Sequence, residues 1–281
     1  MNRTSALAVL LTIFLVPSSS PVRRIGVRAA FLFDDPPTSE YNGTTWQADL
    51  EPPLRKGETK ERRRAIDEVL ALHWGEVGAA GAAHRQNGNC SGGGYSEYTY
   101  GEITPRGVRR LVRAMGLQGT DKGTAVFYDL GSGAGAVVAQ IFLEGVADKS
   151  LGVELSTARH EIALKSWAAL QMSPLLIERE ESTSIAERVW FINGDVSEVD
   201  FSDATHIYAC SLCFPLPVVE AIARRIVEFS RNGRLKAIAA LSDLQILEMG
   251  DEGERWEKSF ENVGMTWGRV QMRIYTFITQ T

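Results

Sequence analysis

Apolar and polar positions fall into a regular rhythm only from about residue 100 onward. Val108, Leu111, Val112 and Met115 lie three or four apart and predict an amphipathic helix. Compact apolar runs predict strands at 124–130, 150–155, 189–192, 206–209 and 235–241. Between them, helical spacing predicts helices at 137–143, 158–172 and 218–229, the last ended by Asn232-Gly233. Strands alternating with helices predict an α/β fold, a doubly wound, mostly parallel sheet covered on both faces. The run from 265 to 279 departs from that alternation. Its Thr266, Trp267, Val270, Met272, Ile274, Tyr275, Phe277 and Ile278 predict two strands in succession, an antiparallel hairpin on one sheet edge.

Upstream the rhythm is weaker. Ile66, Val69, Leu70 and His73 share one face of a helix predicted over 59–73, with Gly75 and Gly78 expected to stop it. Residues 78–94 are so rich in glycine and alanine that a mobile loop is expected. Residues 26–54 contain prolines and no periodicity, and read as an extended lead-in. The first residues have the layout of a secretory signal: Arg3, a mainly apolar run from Ala6 to Val16, then Pro17 and three serines. That run is shorter than the roughly 20 apolar residues a membrane-spanning helix needs. The expected organisation is a targeting segment at 1–25, an N-terminal extension with a basic helix and a Gly-rich loop at 26–94, and a catalytic-type domain at 95–281.

Composition narrows the chemistry. The chain has 281 residues, 44% hydrophobic and 23% charged, with a formal net charge of −5, so the molecule as a whole is not drawn to nucleic acid. Any such affinity must be local. The one basic run is Arg55, Lys56, Lys60, Arg62, Arg63 and Arg64 against Glu58 and Glu61, readable as a solvated helix face or as a weak DNA-docking patch. Three cysteines, Cys90, Cys210 and Cys213, are too few for a disulfide framework. Cys210 and Cys213 form a C-x-x-C without a second pair, and zinc takes four ligands, so no metal is expected. His206 reads as a packed core histidine, while His73, His84 and His160 show no partner in the sequence.

The stretch "DLGSGAG" after the 124–130 strand carries the candidate chemistry. A dinucleotide turn has the spacing G-x-G-x-x-G, whereas Gly131, Gly133 and Gly135 are spaced by two, with Ser132 inside the turn and Asp129 before it. A carboxylate there repels a phosphate. It suits a cationic ligand: S-adenosylmethionine carries an ammonium and a sulfonium and no phosphate. Glu154 ends the next strand, 25 residues on, placed to accept from both ribose hydroxyls. Asp195, with Val196 beside it, follows the third strand, where a carboxylate can accept from the adenine amino group. Three acids at successive strand ends are far more specific than the glycine turn alone.

With "YGEI" (100–103), "DLGSGAGAVVAQ" (129–140), "GVELS", "NGDV", "CF" (213–214) and the terminal "MTWGRVQMRIYTF" in this order, the chain resembles the disruptor-of-telomeric-silencing family, the non-SET histone-lysine methyltransferases. The resemblance spans 95–279, and "YGE" about 30 residues before the glycine turn is its more selective element. It implies a seven-stranded class I methyltransferase sheet behind a helical N-terminal part. It also implies cofactor roles for Tyr100, Glu102, Asp129, Gly131, Ser132, Gly133, Gly135, Glu154, Asp195 and Val196. Around methyl transfer it implies Tyr100, Ser211, Phe214 and Tyr275, with Tyr275 lining a lysine channel; Trp267, from its aromatic ring alone, reads either as a further wall of that channel or as core packing of the terminal hairpin. The implied substrate is a lysine of histone H3 in the nucleosome.

Two positions depart from the family pattern. Ala136 stands where an Asn or Gln usually bonds the cofactor, and "ACSLCF" replaces an Asn-Asn-Phe stretch, with Ser211 at the second Asn. Methyl transfer to an amine is an in-line displacement whose rate comes mainly from orientation in a dry site. A lysine of pKa about 10.4 must first lose a proton, at roughly 4.6 kcal/mol at neutral pH, and an aromatic channel lowers that cost by desolvation. A monomer is expected. A histone enzyme implies the nucleus, in conflict with the signal-like run at Ala6 to Val16, which implies secretory or organellar targeting. Alternatives are a methyltransferase with a non-histone substrate and a cofactor-binding module without transfer activity.

Overall fold

The computed structural model describes residues 50–83, 102–117, 125–173, 176, 187–211, 214–248, 255–266 and 268–278. Five helices and seven strands organise them: α1 (Lys60–Ala83), α2 (Pro105–Ala114), β1 (Val126–Leu130), α3 (Ala136–Glu144), β2 (Lys149–Glu154), α4 (Thr157–Gln171), β3 (Val189–Asn193), β4 (His206–Ala209), α5 (Leu216–Ser230), β5 (Ala237–Ala240), β6 (Trp256–Met265) and β7 (Gly268–Phe277). The strands form one sheet in the order β3-β2-β1-β4-β5-β7-β6. The first five run parallel, and β7 returns antiparallel between β5 and β6. This is the doubly wound seven-stranded sheet expected from the rhythm of the sequence. The strand order reverses between β1 and β4, and such a switch point opens a crevice at the carboxyl ends of the strands.

Strand alternation sorts the core into two faces. Phe127, Ala239, Met272 and Ile274 pack with Val108, Leu111 and Val112 of α2 and Ile141 of α3. On the other face, Leu130, Ile207, Ile238 and Tyr275 pack with Ile222 and Ile226 of α5. A third cluster joins Ile66, Leu70 and Trp74 of α1 to α3 and α4. Local signals start the helices where needed: the Thr104 side chain accepts from the Gly107 amide and Pro105 opens α2.

Two expectations are corrected. The helix α1 does not stop at Gly75 or Gly78 but runs to Ala83, because the alanines around those glycines favour helix and Trp74 anchors it. The 265–279 run holds one strand of the hairpin, β7. Its partner β6 lies upstream and was illegible because this edge strand is polar at Glu257, Lys258, Ser259, Glu261 and Asn262.

Candidate active site

After β1 the chain turns through residues 131–135 into α3. Gly131 and Gly135 take φ of +88° and +86°, a region strained for any residue with a Cβ. Space excludes a side chain as well: a Cβ on Gly131 would meet the Phe214 ring at 2.7 Å, and one on Gly135 would meet Phe191 at 2.4 Å. The turn is tied down from both sides. The Gly131 and Ser132 amides donate to the Val153 carbonyl at 2.8 and 2.9 Å, and Gly135 donates to the Ser132 carbonyl at 2.9 Å. From α1, the buried Trp74 indole donates to the Ala134 carbonyl at 2.7 Å. Sequence reading gave Trp74 no role, since nothing local signals a partner 60 residues away.

Beside this turn the carboxylates of Glu154 and Glu102 lie close enough to Asp129 to act on it. Asp129 is 2% exposed, and its Oδ1 has no hydrogen-bond partner among the described residues. Burial, reinforced by Glu154 and then Glu102, pushes its carboxyl well above the usual carboxylate range. Glu154, also buried, accepts from the Gly133 amide at 2.8 Å and from the Ser156 amide at 2.9 Å. Those bonds aim the side chain and leave lone pairs on both oxygens. The Arg159 guanidinium stands 3.7 Å from it. Glu102 is held by the β6–β7 turn: its amide donates to Thr266 Oγ1 at 3.1 Å and its carbonyl accepts from the Thr266 amide at 2.8 Å. Asp195 follows β3, half-buried, and its Oδ1 accepts from the Ser197 amide and hydroxyl at 2.8 and 2.7 Å. Val196 beside it is buried in the α5-side core.

Of the residues proposed around the transfer step, Tyr275 belongs to the α5-side cluster and Phe214 packs against it. Tyr100, Trp267, Cys90 and Cys213 lie outside the described residues. Phe214 is half-buried and covers Gly131. Ser211 is buried and joins the ends of β4 and β5: its hydroxyl accepts from the Ser242 amide at 2.9 Å, and its carbonyl accepts from the Ser242 hydroxyl at 2.8 Å. Tyr275 does not stand with Asp129. It packs opposite Ile238 on the α5 face, while Asp129 shares the other face with Phe127 because alternate residues share a face. The Tyr275 hydroxyl donates within the Asp243 and Glu248 pair, at 2.9 and 3.2 Å, and accepts from the Leu244 amide at 3.0 Å. Its neighbour Ile274 packs on the α2 face instead, since one residue along a strand reverses the face.

Other readings sharpen too. His206 is buried against the Thr205 hydroxyl at 2.9 Å, and burial, helped by Lys236, pushes its pKa down to about 4. Much of the basic run turns inward: Arg63 bonds Glu51, Glu58 and the Pro52 carbonyl, Arg62 reaches the Leu143 carbonyl at 3.0 Å, and Arg55 pairs with Glu144 at 3.0 Å. Among the described residues no group of three or more His, Cys, Asp or Glu is placed to hold a metal ion, and no helix is long and apolar enough to cross a membrane.

A buried acceptor without a donor, two further carboxylates and a turn with no room for side chains fit a cationic nucleoside. The profile of the family described as "Histone methylation protein DOT1" matches residues 92–245. The chain belongs to this family. This DOT1-family member is an S-adenosylmethionine-dependent methyltransferase. Among solved structures, an RNA methyltransferase from Salinibacter ruber in complex with S-adenosyl-L-homocysteine is 22% identical, with a TM-score of 0.40 over 62% of this chain and 92% of that one. The methyltransferase domain of bacterial CtHen1-C is 12% identical, with a TM-score of 0.43 over 63% and 100%. TrmK of M. capricolum, in complex with S-adenosyl-homocysteine, is 8% identical, with a TM-score of 0.37 over 59% and 67%. These likenesses are too remote to indicate a substrate. No curated protein matches the chain.

Proposed function

We propose that this DOT1-family chain is a protein-lysine N-methyltransferase directed at histone H3. The family match carries the lysine and histone part of the reading; the orphaned, buried Asp129 carries the cofactor part. S-Adenosylmethionine supplies an activated methyl group to the amine. Asp129 accepts from the cationic amino-acid end, Glu154 from the ribose hydroxyls, and Asp195, through its oxygen not engaged by Ser197, from the adenine amino group. Phe214, seated over Gly131, keeps water from the turn and adds an apolar wall that favours a neutral amine. None of these groups forms a covalent bond; they position and desolvate, which is most of what an in-line transfer asks of a protein.

The test is incubation of the purified chain and of Asp129→Asn with methyl-labelled cofactor and, separately, nucleosomes, free histones or total protein. Label on histone H3, lost with Asp129→Asn, is the expected result. Label on other proteins moves the substrate and keeps the enzyme. Cofactor binding with label on nothing leaves a binding module and overturns the proposal.

A further inference from the structure

One more polar group on the Asp129 face lacks a partner. Tyr208, the third residue of β4, pairs in register with Asp129 across the switch point, so the two Cα atoms stand about 4.8 Å apart. Alternation puts both side chains on the α2 and α3 face: Ile207 and Ala209 pack on the α5 side, while Tyr208 packs with Phe127 and Ile141. Tyr208 is 2% exposed, and its hydroxyl has no hydrogen-bond partner among the described residues. The Cys210 thiol lies near the hydroxyl, but sulfur is a weak acceptor and a poor substitute for a carboxylate. Burial, then Cys210, Asp129 and Glu102, push the phenol well above its ordinary pKa, so it remains a neutral donor. Leaving such a group unsatisfied is costly, and here two of them, on strands paired in register, share one face of the sheet.

The amino-acid end of the cofactor is a zwitterion, with an ammonium for Asp129 and a carboxylate that needs a donor. The glycine turn cannot supply one from Gly131, Ser132, Gly133 or Gly135, whose amides are already engaged by Val153, Glu154 and Ser132. A carboxylate beside Asp129, Glu154 and Glu102 is repelled unless a donor neutralises it locally. We propose that Tyr208 is a cofactor-binding residue whose hydroxyl donates to the carboxylate of the cofactor's amino-acid end, so that Tyr208 and Asp129 together read both charges of the zwitterion. This rests on the cofactor reading of the site and adds to it a residue and a specificity: the site selects nucleosides that carry the amino-acid arm.

The test compares the wild type with Tyr208→Phe, which keeps the ring and removes the hydroxyl. Calorimetric titration uses S-adenosylhomocysteine and 5′-methylthioadenosine, the same thioether nucleoside without the arm, and thermal unfolding is followed without ligand. Expected are about tenfold weaker binding of S-adenosylhomocysteine, unchanged binding of methylthioadenosine, and a ligand-free Tm equal to or above wild type. Wild type that binds neither nucleoside sinks the underlying site reading as well. If wild type binds and Tyr208→Phe binds S-adenosylhomocysteine equally well, the α3 amides hold the carboxylate and the proposal falls. It also falls if both nucleosides weaken alike. A lowered Tm or a misfolded variant assigns the hydroxyl to the fold and overturns it too.

Discussion

Arg109 and Asp129 are charged side chains buried to the same degree, 3% and 2% exposed, and the protein treats them in opposite ways. Arg109, on α2, bonds Glu144 at 2.9 Å, Asp67 at 2.5 and 3.2 Å, Glu51 at 3.3 Å and the Arg63 carbonyl at 3.3 Å. Burial alone disfavours its charge, yet Asp67, Glu144 and Glu51 outweigh that and raise its pKa. Asp129 has only other carboxylates as charged neighbours and holds its proton beyond the usual range. A buried charge with all its partners inside the chain belongs to the architecture, here fastening α1 and the 50–58 segment to α2 and α3. A buried charge whose partners are missing awaits a ligand.

Breaking the satisfied side costs most. Arg109→Ala takes from buried Glu144 one of its two guanidinium partners, leaving it Arg55, and frees Asp67; a loss of about 3–5 kcal/mol of unfolding free energy is expected by chemical denaturation. On the unsatisfied side, Asp129→Asn should weaken S-adenosylmethionine binding on the order of 100-fold by calorimetry, since a buried charge-assisted bond is lost. Without ligand the same variant should be more stable than wild type at neutral pH. The sign follows from linkage: the folded Asp129 carboxyl holds its proton above the unfolded value, so its contribution to stability is full at low pH and falls as pH rises through the folded pKa. A stability difference between variant and wild type that does not grow with pH would break the comparison. Trp74→Phe leaves the Ala134 carbonyl without its donor, and about 1–3 kcal/mol is expected from thermal unfolding. Cofactor affinity should fall with it, because the glycine turn loses a support. Smallest of all, Arg64→Ala removes an exposed pair with Glu68, worth below about 0.5 kcal/mol. A larger loss would make the outer face of α1 structural.

Much of the fold was legible from the periodicity of apolar residues. His206–Ala209 and the helices after β1, β2 and β4 fall where the pattern puts them. Asp129 and Glu154 were legible as strand-end acids because Asp129 is the penultimate residue of β1 and Glu154 the last of β2, both at the carboxyl edge of the sheet. The misses have physical causes. Edge strand β6 carries no alternation, since one side and much of its length face solvent. Trp74 and Arg109 act through partners 60 and 35 to 58 residues distant, separations that no local pattern encodes. The Arg55 to Arg64 run looked like a surface because charge density says nothing about which way a helix turns.

The order of strands and helices, the glycine turn and the acids at the strand ends were determined by the sequence alone, because periodicity and backbone permissiveness are local properties. Which face each side chain occupies, and whether a buried charge finds a partner, were decided by tertiary packing. Strand register assigns Asp129 and Tyr208 to one side and Tyr275 to the other, and only the packing of α2 against α3 brings Glu144 to Arg109, while Asp129 Oδ1 is left without a donor.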